Sequence, residues 1–526
     1  MALFSIKVLA NKIIESKPSK FGLKMMYGIS QTGDILTGLY SPVLPEDFGT
    51  FFSTAEKKYQ SKLLIYDLKD QIGRVVNLIA NDGIGNPEEF STMEQKANGL
   101  LKQLDAKDNS RNPIAFGREL LPLAKWAMGF DRKKTFLIVL QNSMEQRPTG
   151  GLIEGVGIAV LEKGQLLDLS WFDPDDIEAS LIGTEDSPQP IKTILGEPGL
   201  LFRDANWSID GPSAAVQVKK MYERSMGRGI DGVIFFSTQG IEDIISETAG
   251  GLKEKSAFAG PEFTLQLAKE TFRVFKDTSF SAVLGLIKAL QNENVMIVPF
   301  ETEPAKLAAQ LGIDGGIKKI LCPAQLYSSK CFQNFIYIVN ANLGGKRSDY
   351  FLKKGRRATV TLGADYRVNT ALELAYANTS TVDGSSTVYR GYTRVAIPLE
   401  SVVQSVVEVK NGQSVQVAAD NYIEFGQHII GFPLEIMSGE SLLVKLNYIS
   451  TNKIPIERGI GAYVLNFKKQ AGDSVKTEVM IKLGDGVTPL SVYPRAGISD
   501  GNLIFELTME KSDSVAVEFA INNLFH

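Results

Sequence analysis

The hydrophobic periodicity of this chain changes twice along its 526 residues, and each change predicts a different kind of fold. Residues 1–130 space apolar side chains three and four residues apart, as amphipathic helices do. Residues 131–350 alternate short apolar runs with helical stretches, which indicates an α/β domain. Short alternating strands with Gly, Asn and Asp turns follow, which indicates an Ig-like β-sandwich over 351–450 and a second sandwich, or its continuation, over 451–526. We therefore predict a multidomain α/β plus all-β chain with a helical N-terminal region.

The helical region contains two well-marked helices. Residues 54–81 carry apolar side chains on one face, and the Gly- and Pro-containing stretch 82–87 ends that helix. Ser91-Thr-Met-Glu94 has the form of a capping box that opens the next helix. A helical bundle or hairpin is the plain interpretation, and a partner-binding coiled coil is the alternative.

Composition excludes several classes of chemistry. The 56 basic and 60 acidic residues give a formal net charge of -4, which offers no global field for nucleic acid, and we expect no such partner. The only two histidines are His428, in a β-rich stretch, and the terminal His526. Because Ser-His-Asp and Cys-His systems, His-ligated zinc and haem all need a central imidazole, catalysis would have to use carboxylates, Arg, Lys, Tyr or a carboxylate-held metal.

The sequence contains no membrane-spanning segment. No window reaches about 18 uninterrupted apolar residues, the length that a spanning helix needs. The apolar stretch at the N-terminus is also too short for a signal peptide. Two interpretations remain open at this point: a cytoplasmic protein, or a protein whose anchor lies ahead of Met1.

The two cysteines, Cys322 and Cys331, lie nine residues apart. A disulfide between them would close a short loop and add about 2–3 kcal/mol on the chain-entropy model. Two unrelated thiols are the alternative interpretation. Neither cysteine has a second Cys/His pair beside it, so we expect no structural zinc site.

The first polar cluster follows the opening strand of the α/β region and contains Asn142, Glu145, Arg147, Gly150 and Gly151. Ligand sites in open α/β sheets lie at such strand ends. Arg grips phosphate or carboxylate with two parallel hydrogen bonds, and a Gly pair lets backbone N–H groups approach an anion. The alternative is a plain turn with Arg147 in a structural ion pair.

The second polar cluster lies just before a predicted helix and contains Arg203, Asp204, Asn206 and Asp210 around a tryptophan. Asp204 and Asp210 supply the oxygen ligands that Mg²⁺ prefers, and Arg203 could neutralise a phosphoryl group. The alternative is structural: Asp210 or Ser213 caps the helix, Arg203 pairs with a nearby acid and the tryptophan packs in the core.

A third position, Asp231, stands at the entrance of the strand over residues 232–236. We include it among the candidate ligand-binding residues, although a turn residue is the favoured interpretation. The sequence has no phosphate-binding P-loop, no dinucleotide fingerprint after a strand and no Ser nucleophile elbow.

These clusters together resemble the bacterial domain of unknown function 4012 (DUF4012). The resemblance rests on four runs, which share its order and spacing over about 220 residues: Phe136–Gly151, Arg203–Asp210, Ile230–Ile234 and Asn340–Tyr350. Leu152, Ile209 and Gly211 depart slightly from the family pattern.

The resemblance implies an extracytoplasmic cell-envelope protein, held by one N-terminal transmembrane helix that lies ahead of Met1. An oxidising location would favour the Cys322–Cys331 bridge. The family has no settled activity. The stretch 230–251 is also distantly similar to the LytR-CpsA-Psr envelope enzymes, which transfer glycopolymers from a polyprenyl-pyrophosphate carrier using Arg groups and Mg²⁺.

Two functional hypotheses follow. In the first, the α/β domain binds or transfers a polyprenyl-linked or cell-wall glycan by phosphoryl or glycosyl-phosphate transfer. Arg147, Arg203 and Asp204 would be catalytic, Asp204 and Asp210 would hold Mg²⁺, and Asn142, Glu145, Gly150, Gly151, Asn206 and Asp231 would bind ligand. In the second, the chain is a non-enzymatic cell-surface structural or adhesion protein whose polar clusters are structural.

Overall fold

A computed structural model describes residues 116, 119–181, 183, 185–246, 279–318, 322, 330–345, 347–363, 365–380, 388–484 and 486–521. The helices expected over 54–81 and after Ser91–Glu94 lie outside this part of the chain. The chain divides into two compact units, each built from separated segments. The first contains the residues up to Gln141, Glu154–Ser180 and Lys219–Gly315, and the second contains Asn142–Ile153, Leu181–Val218 and Gly316–His526.

The described helices are few and mostly short. In chain order they are α1 (Leu121–Ala127), α2 (Pro174–Ala179), α3 (Gln189–Ile194), α4 (Gly211–Met226), α5 (Thr238–Ser246), α6 (Ser279–Gln291) and α7 (Thr302–Leu311). Within the α/β region the sequence pattern predicts helices over 212–226, 239–248 and 304–311, and these correspond to α4, α5 and α7. Among the residues that the structure describes, no helix has the length and apolar character needed to cross a bilayer.

A five-stranded sheet, sheet I, organises the first unit. Its strands are β1 (Lys134–Asn142), β2 (Leu152–Glu162), β3 (Gln165–Phe172), β4 (Gly232–Ser237) and β5 (Val295–Pro299), in the order β3-β2-β1-β4-β5. β1 pairs with β4 in parallel, whereas β2–β3 and β4–β5 are antiparallel. The sequence predicts a hairpin at Glu162-Lys163-Gly164, between two apolar runs. It is present as β2–β3, and Lys163 and Gly164 both take the positive φ that a tight hairpin needs. Trp126 packs edge-on against Phe136 in the core of this unit.

Two large sheets form the second unit. Sheet II contains, in spatial order, β11 (Gln413–Gln416), β10 (Ser401–Lys410), β14 (Ser441–Lys453), β8 (Arg367–Asn378), β7 (Leu352–Leu362), β17 (Thr477–Lys482), β20 (Asn502–Leu507) and β19 (Gly497–Ser499). Sheet III contains β12 (Asp420–Glu424), β13 (Gln427–Ile436), β9 (Tyr389–Pro398), β6 (Phe332–Asn342), β16 (Ile460–Lys468), β21 (Asp513–Ile521) and β18 (Val487–Tyr493), with β15 (Ile456–Glu457) beside β16. Alternate residues of both sheets enter a shared hydrophobic core.

The shared core shows whether the β region forms one sandwich or two. Phe432 and Phe467 of sheet III lie in the same buried cluster as Leu372 and Phe505 of sheet II. The strands on either side of residue 450 therefore build one sandwich. An α/β region followed by a β-rich region is confirmed in outline, and the Ig-like assignment stays a prediction.

The strand β6 corrects the predicted position of one element. The sequence pattern assigns residues 332–339 to the α/β domain, but β6 is a central strand of sheet III, antiparallel to β9 and parallel to β16. Nearly every β6 residue is buried, on both faces. A run buried on both faces fits a parallel α/β sheet and the middle of a sandwich equally well.

Candidate functional site

The turn after β1 is shaped by side-chain caps and by two glycines. Asn142 Oδ1 accepts a hydrogen bond from the backbone N–H of Met144 (2.9 Å), and Ser143 Oγ donates to the carbonyl of Gly150 (2.8 Å). Gly150 and Gly151 have φ values of 131° and 148°, which non-glycine residues rarely adopt. A Cβ on Gly151 would lie 2.2 Å from the carbonyl oxygen of Asn142. These two glycines therefore allow a close backbone approach within the protein.

Arg147 is sealed inside the second unit. Its side chain is 3% exposed, and its Nε donates to Asp204 Oδ1 at 2.6 Å. Nη1 donates to the carbonyl of Asn342, and also to that of Gln146 at 3.2 Å. Asp204 itself is 1% exposed. The geometry of Arg147 therefore does not favour the expectation that it grips a ligand phosphate, because its Nε and Nη1 donate to internal acceptors.

Two glutamines extend this buried network. Gln470 Nε2 donates to the carbonyls of Arg147 (3.0 Å) and Asn340 (2.8 Å), and its Oε1 accepts from Asn340 N (2.9 Å). Gln146 Nε2 donates to the carbonyl of Ala471 at 2.6 Å. These hydrogen bonds join the turn after β1 to sheet III and to the loop that follows β16. Sequence reasoning did not nominate Gln470.

A second group of buried charges lies on the same loops. Gln146 N donates to Asp349 Oδ2 (2.9 Å), and Lys354 Nζ lies 3.2 Å from Asp349 Oδ1 and 3.6 Å from Asp473 Oδ1. Arg356 Nη2 donates to Asp473 Oδ2 at 3.0 Å. Burial alone would raise the pKa of Asp473, but Lys354 and Arg356 lower it overall. Burial would likewise lower the pKa of Lys354, yet Asp473 and Asp349 raise it. Lys354 and Asp473 therefore stay ionised and stabilise each other.

The carboxylate of Asp210 caps helix α4. Its Oδ2 accepts from the backbone N–H (3.1 Å) and the hydroxyl (2.7 Å) of Ser213, and its Oδ1 accepts from Ile317 N (3.0 Å). This is the capping role that the sequence offered as the alternative interpretation. Next to it, Ile209 packs against Phe335 and Val339 on sheet III.

The residues nominated for Mg²⁺ do not fit a metal site. The Oδ1 of Asp204 faces a guanidinium, and both oxygens of Asp210 accept hydrogen bonds from the protein. A cation held by these groups would compete with an existing positive charge. Within the described ranges, no group of three or more His, Cys, Asp or Glu side chains is arranged to hold a metal ion.

The remaining nominated residues lie around this network or apart from it. Asn206 Nδ2 donates to Thr149 Oγ1 (2.9 Å) and to the carbonyl of Gly151 (2.8 Å), which fastens the glycine turn. Glu145 Oε1 accepts from the backbone N–H of Arg347 at 3.1 Å. Arg203 is partly exposed, in a single 3-10 turn.

Two nominated features have partners of their own. Asp231 belongs to the first unit, where its Oδ2 accepts from Thr135 N (2.7 Å) and its Oδ1 accepts from Arg132 (2.6 Å). These bonds hold the entrance of β4 beside β1, as the turn interpretation expects. In the second unit the structure joins Cys322 and Cys331 in a disulfide.

Several partners that sequence reasoning did not nominate carry the network, namely Gln146, Asn342, Asp349, Lys354 and Asp473. Three of them lie inside motif runs already noted: Gln146 in the run that ends at Gly151, and Asn342 and Asp349 in the run that ends at Tyr350. The recurrence of polar residues in those runs was the available signal. For Lys354 and Asp473 the sequence carries no comparable signal.

Comparison with known proteins gives one family match. No curated protein matches the chain. Among solved structures, a candidate nutrient binding protein from Legionella pneumophila subsp. pneumophila str. Philadelphia 1 is 9% identical, with a TM-score of 0.25 over 32% of this chain and 67% of that one. The M1 zinc metallopeptidase from Deinococcus radiodurans is 14% identical, with a TM-score of 0.19 over 32% of this chain and 42% of that one. Likenesses this low say nothing about the fold or activity of this chain.

The family match covers part of the loops described above. Residues 131–252 match the model of the family described as "Protein of unknown function (DUF4012)". That range includes the glycine turn, Arg147, Asp204 and Asp231. The similarity to LytR-CpsA-Psr enzymes stays a prediction. The chain is therefore similar to DUF4012 proteins over residues 131–252.

Proposed function

We propose that this chain is a non-enzymatic structural protein of the bacterial cell envelope, in which the motif runs hold a large β-sandwich together. The observation that carries the proposal is the buried Arg147–Asp204 pair, with side chains only 3% and 1% exposed. A residue that stabilises phosphate in a transfer reaction has to reach the substrate. Here the arginine reaches two backbone carbonyls and a carboxylate of the protein instead.

The connectivity of the network supports a structural role. Arg147, Gln146 and Gln470 tie the turn after β1 to β6 and to the loop after β16, which are far apart in the sequence. Lys354 and Asp473 add β7 to the same group of loops. A buried polar network with these partners specifies one arrangement of the chain, because breaking any member leaves a charge or a carbonyl unpaired.

The envelope location rests on two supports. Similarity to DUF4012 proteins implies an extracytoplasmic domain with a membrane anchor, and residues 131–252 match that family. The Cys322–Cys331 disulfide fits an oxidising compartment, where such bonds persist. Attachment to the cell surface, through a sandwich of Ig-like type, is part of the same proposal.

The competing hypothesis is glycan transfer from a polyprenyl carrier, and a ligand-dependent thermal shift separates the two. Wild type, Arg147→Lys and Arg203→Ala are melted with and without a detergent-soluble polyprenyl phosphate and Mg²⁺. We expect no ligand-dependent shift in wild type, and a lower melting temperature for Arg147→Lys under both conditions. A wild-type shift that both variants lose, with their own melting temperatures unchanged, contradicts the proposal.

A further inference from the structure

A group of aromatic and charged side chains crosses the outer face of sheet III near its β12 edge. Along β9, Val395 and Ile397 enter the sandwich core, so Tyr392 and Arg394 lie on the opposite, outer face. Across the strands, Arg394 is in register with Gly431 of β13, and Gly431 with Asp420 of β12. By the same alternation, Tyr422 and Glu424 of β12 share this outer face.

Tyr392 spans the middle strand of this group. Its hydroxyl donates to Asp420 Oδ2, so the ring crosses β13 at Gly431. A Cβ on Gly431 would lie 2.1 Å from the Tyr392 hydroxyl oxygen, so only glycine leaves the ring its path. Burial, with Asp420 beside it, raises the pKa of Tyr392, and the hydroxyl therefore stays a donor.

Arg394 lies under Trp207 in the centre of the group. Its guanidinium carbon lies 4.4 Å from the centre of the indole ring, and its Nη2 donates to the Trp207 carbonyl at 2.8 Å. Arg394 is only 3% exposed. Among the described residues it forms no ion pair with a carboxylate, so the aromatic face takes the place of a counterion.

Side chains at the edge of this group are available to bind a ligand. Glu424 accepts no hydrogen bond and forms no ion pair in the described part of the chain, although it is partly buried. Burial raises the pKa of Glu424, with Arg394 opposing that rise. Beside it, Tyr422 is 37% exposed, and Asp420 is exposed as well. An exposed tyrosine, a partly exposed tryptophan and two carboxylates therefore lie together above the buried Tyr392 and Arg394.

We propose that Trp207, Tyr392, Arg394, Asp420, Tyr422 and Glu424 form a binding site for a neutral or amino sugar. Aromatic rings cover the apolar face of a sugar ring, and carboxylates accept hydrogen bonds from its hydroxyl or ammonium groups. Two carboxylates against one arginine disfavour a phosphorylated or uronic-acid sugar, because like charges repel in a partly dry site. The site does not depend on the structural role of Arg147 and stands or falls separately from it.

Binding is measured on the full chain with three tetrasaccharides: chitotetraose, its fully de-N-acetylated counterpart, and tetragalacturonate. A Trp126→Phe, Trp171→Phe background leaves Trp207 as the only indole, so its fluorescence reports this site. We expect saturable binding of the neutral or the amino tetrasaccharide, and at least tenfold weaker binding of tetragalacturonate.

Variants assign that binding to the site. Glu424→Gln and Tyr422→Ala should each weaken binding at least tenfold, with unfolding midpoints near that of the parent chain. Tyr493→Ala, at the other edge of sheet III and also exposed at 46%, is the matched control and should bind as the parent does. No binding of either sugar, a preference for tetragalacturonate, or equal binding by all three variants overturns the proposal.

Discussion

Two arginine–carboxylate pairs in this molecule have the same chemistry and opposite surroundings. In the first unit, Arg132 donates to Asp231 at 2.6 Å and also contacts Glu301, with the arginine side chain 52% exposed. In the second unit, Arg147 donates to Asp204, also at 2.6 Å, with the arginine only 3% exposed. The distances are equal, so burial is the variable that separates the two pairs.

This difference in burial predicts how much each ion pair contributes to the free energy of unfolding. An exposed pair competes with water and salt and contributes about 0–1 kcal/mol. A buried pair has lost its water, and removing one partner leaves the other charge unpaired at a cost of about 3–5 kcal/mol. We therefore expect the motif around Arg147 to contribute strongly to the stability of the second unit. The cluster around Arg132 should contribute little to the stability of the first unit.

The largest expected effect is that of Arg147→Met. We expect it to lower the free energy of unfolding of the second unit by about 3–5 kcal/mol, because Asp204 stays behind as a buried, unpaired carboxylate. With Trp126→Phe and Trp171→Phe in the background, urea unfolding followed by Trp207 fluorescence reports that unit alone.

The matched control is Arg132→Met in the first unit. It should cost about 1 kcal/mol or less, measured with Trp126 as the only indole. Equal costs for the two arginine variants would remove the contrast between buried and exposed pairs.

The next effect concerns the turn that carries Arg147. Gly151→Ala combines a φ of 148° with a Cβ only 2.2 Å from the Asn142 carbonyl oxygen, so we expect a loss of about 1–3 kcal/mol from strain. Gly412→Ala is the control, since Gly412 also has a positive φ (76°) but no atom within 4 Å of its Cβ. Urea midpoints should rank Gly151→Ala as the less stable of the two. If Gly412→Ala were the less stable variant, the turn at Gly151 would accommodate a Cβ with little strain.

The smallest effect is a pH dependence at Glu301, whose side chain is 35% exposed. Burial alone would raise the pKa of Glu301, but the hydrogen bond and charge of Lys134, with Arg132, lower it below its ordinary value of 4.5. A carboxylate whose folded pKa is lowered stabilises the protein above the unfolded pKa, and that stabilisation disappears as the pH falls through the folded value.

The test compares wild type with Glu301→Gln. The variant should be less stable by about 1 kcal/mol at most at pH 7, and the difference should close as the pH falls below 4.5. Urea midpoints between pH 7 and pH 3, at low salt and in 1 M salt, check this, and salt should shrink the difference. A gap that widens on acidification contradicts the assignment.

Local signals in the sequence predicted the local parts of this structure. The apolar run of β1, the β2–β3 hairpin and the cap by Asp210 each depend on residues within a few positions of one another, and all are present. The turn that contains Arg147 was also expected to lie directly after a strand, where it does.

The partners of those local elements were not predictable. β6 is buried on both faces, and nothing in its sequence says whether its neighbours come from an α/β sheet or from a sandwich. The sequence offers many carboxylates as partners for Arg147 and does not indicate which one it meets. Its hydrogen bond to the Asn342 carbonyl, and the one that its own carbonyl accepts from Gln470, depend on how distant strands pack. For the same reason the sequence analysis did not bring Trp207 and Arg394 together.

A double-mutant cycle on Arg147 and Asp204 tests the central claim most directly. Arg147→Met, Asp204→Asn and the double variant are unfolded in urea, with Trp207 as the reporter. If the two residues form a sealed structural pair, each single variant loses about 3–5 kcal/mol and the double loses less than their sum by about 2–3 kcal/mol. Single losses below about 1 kcal/mol that simply add would show that these side chains are free to serve a ligand instead.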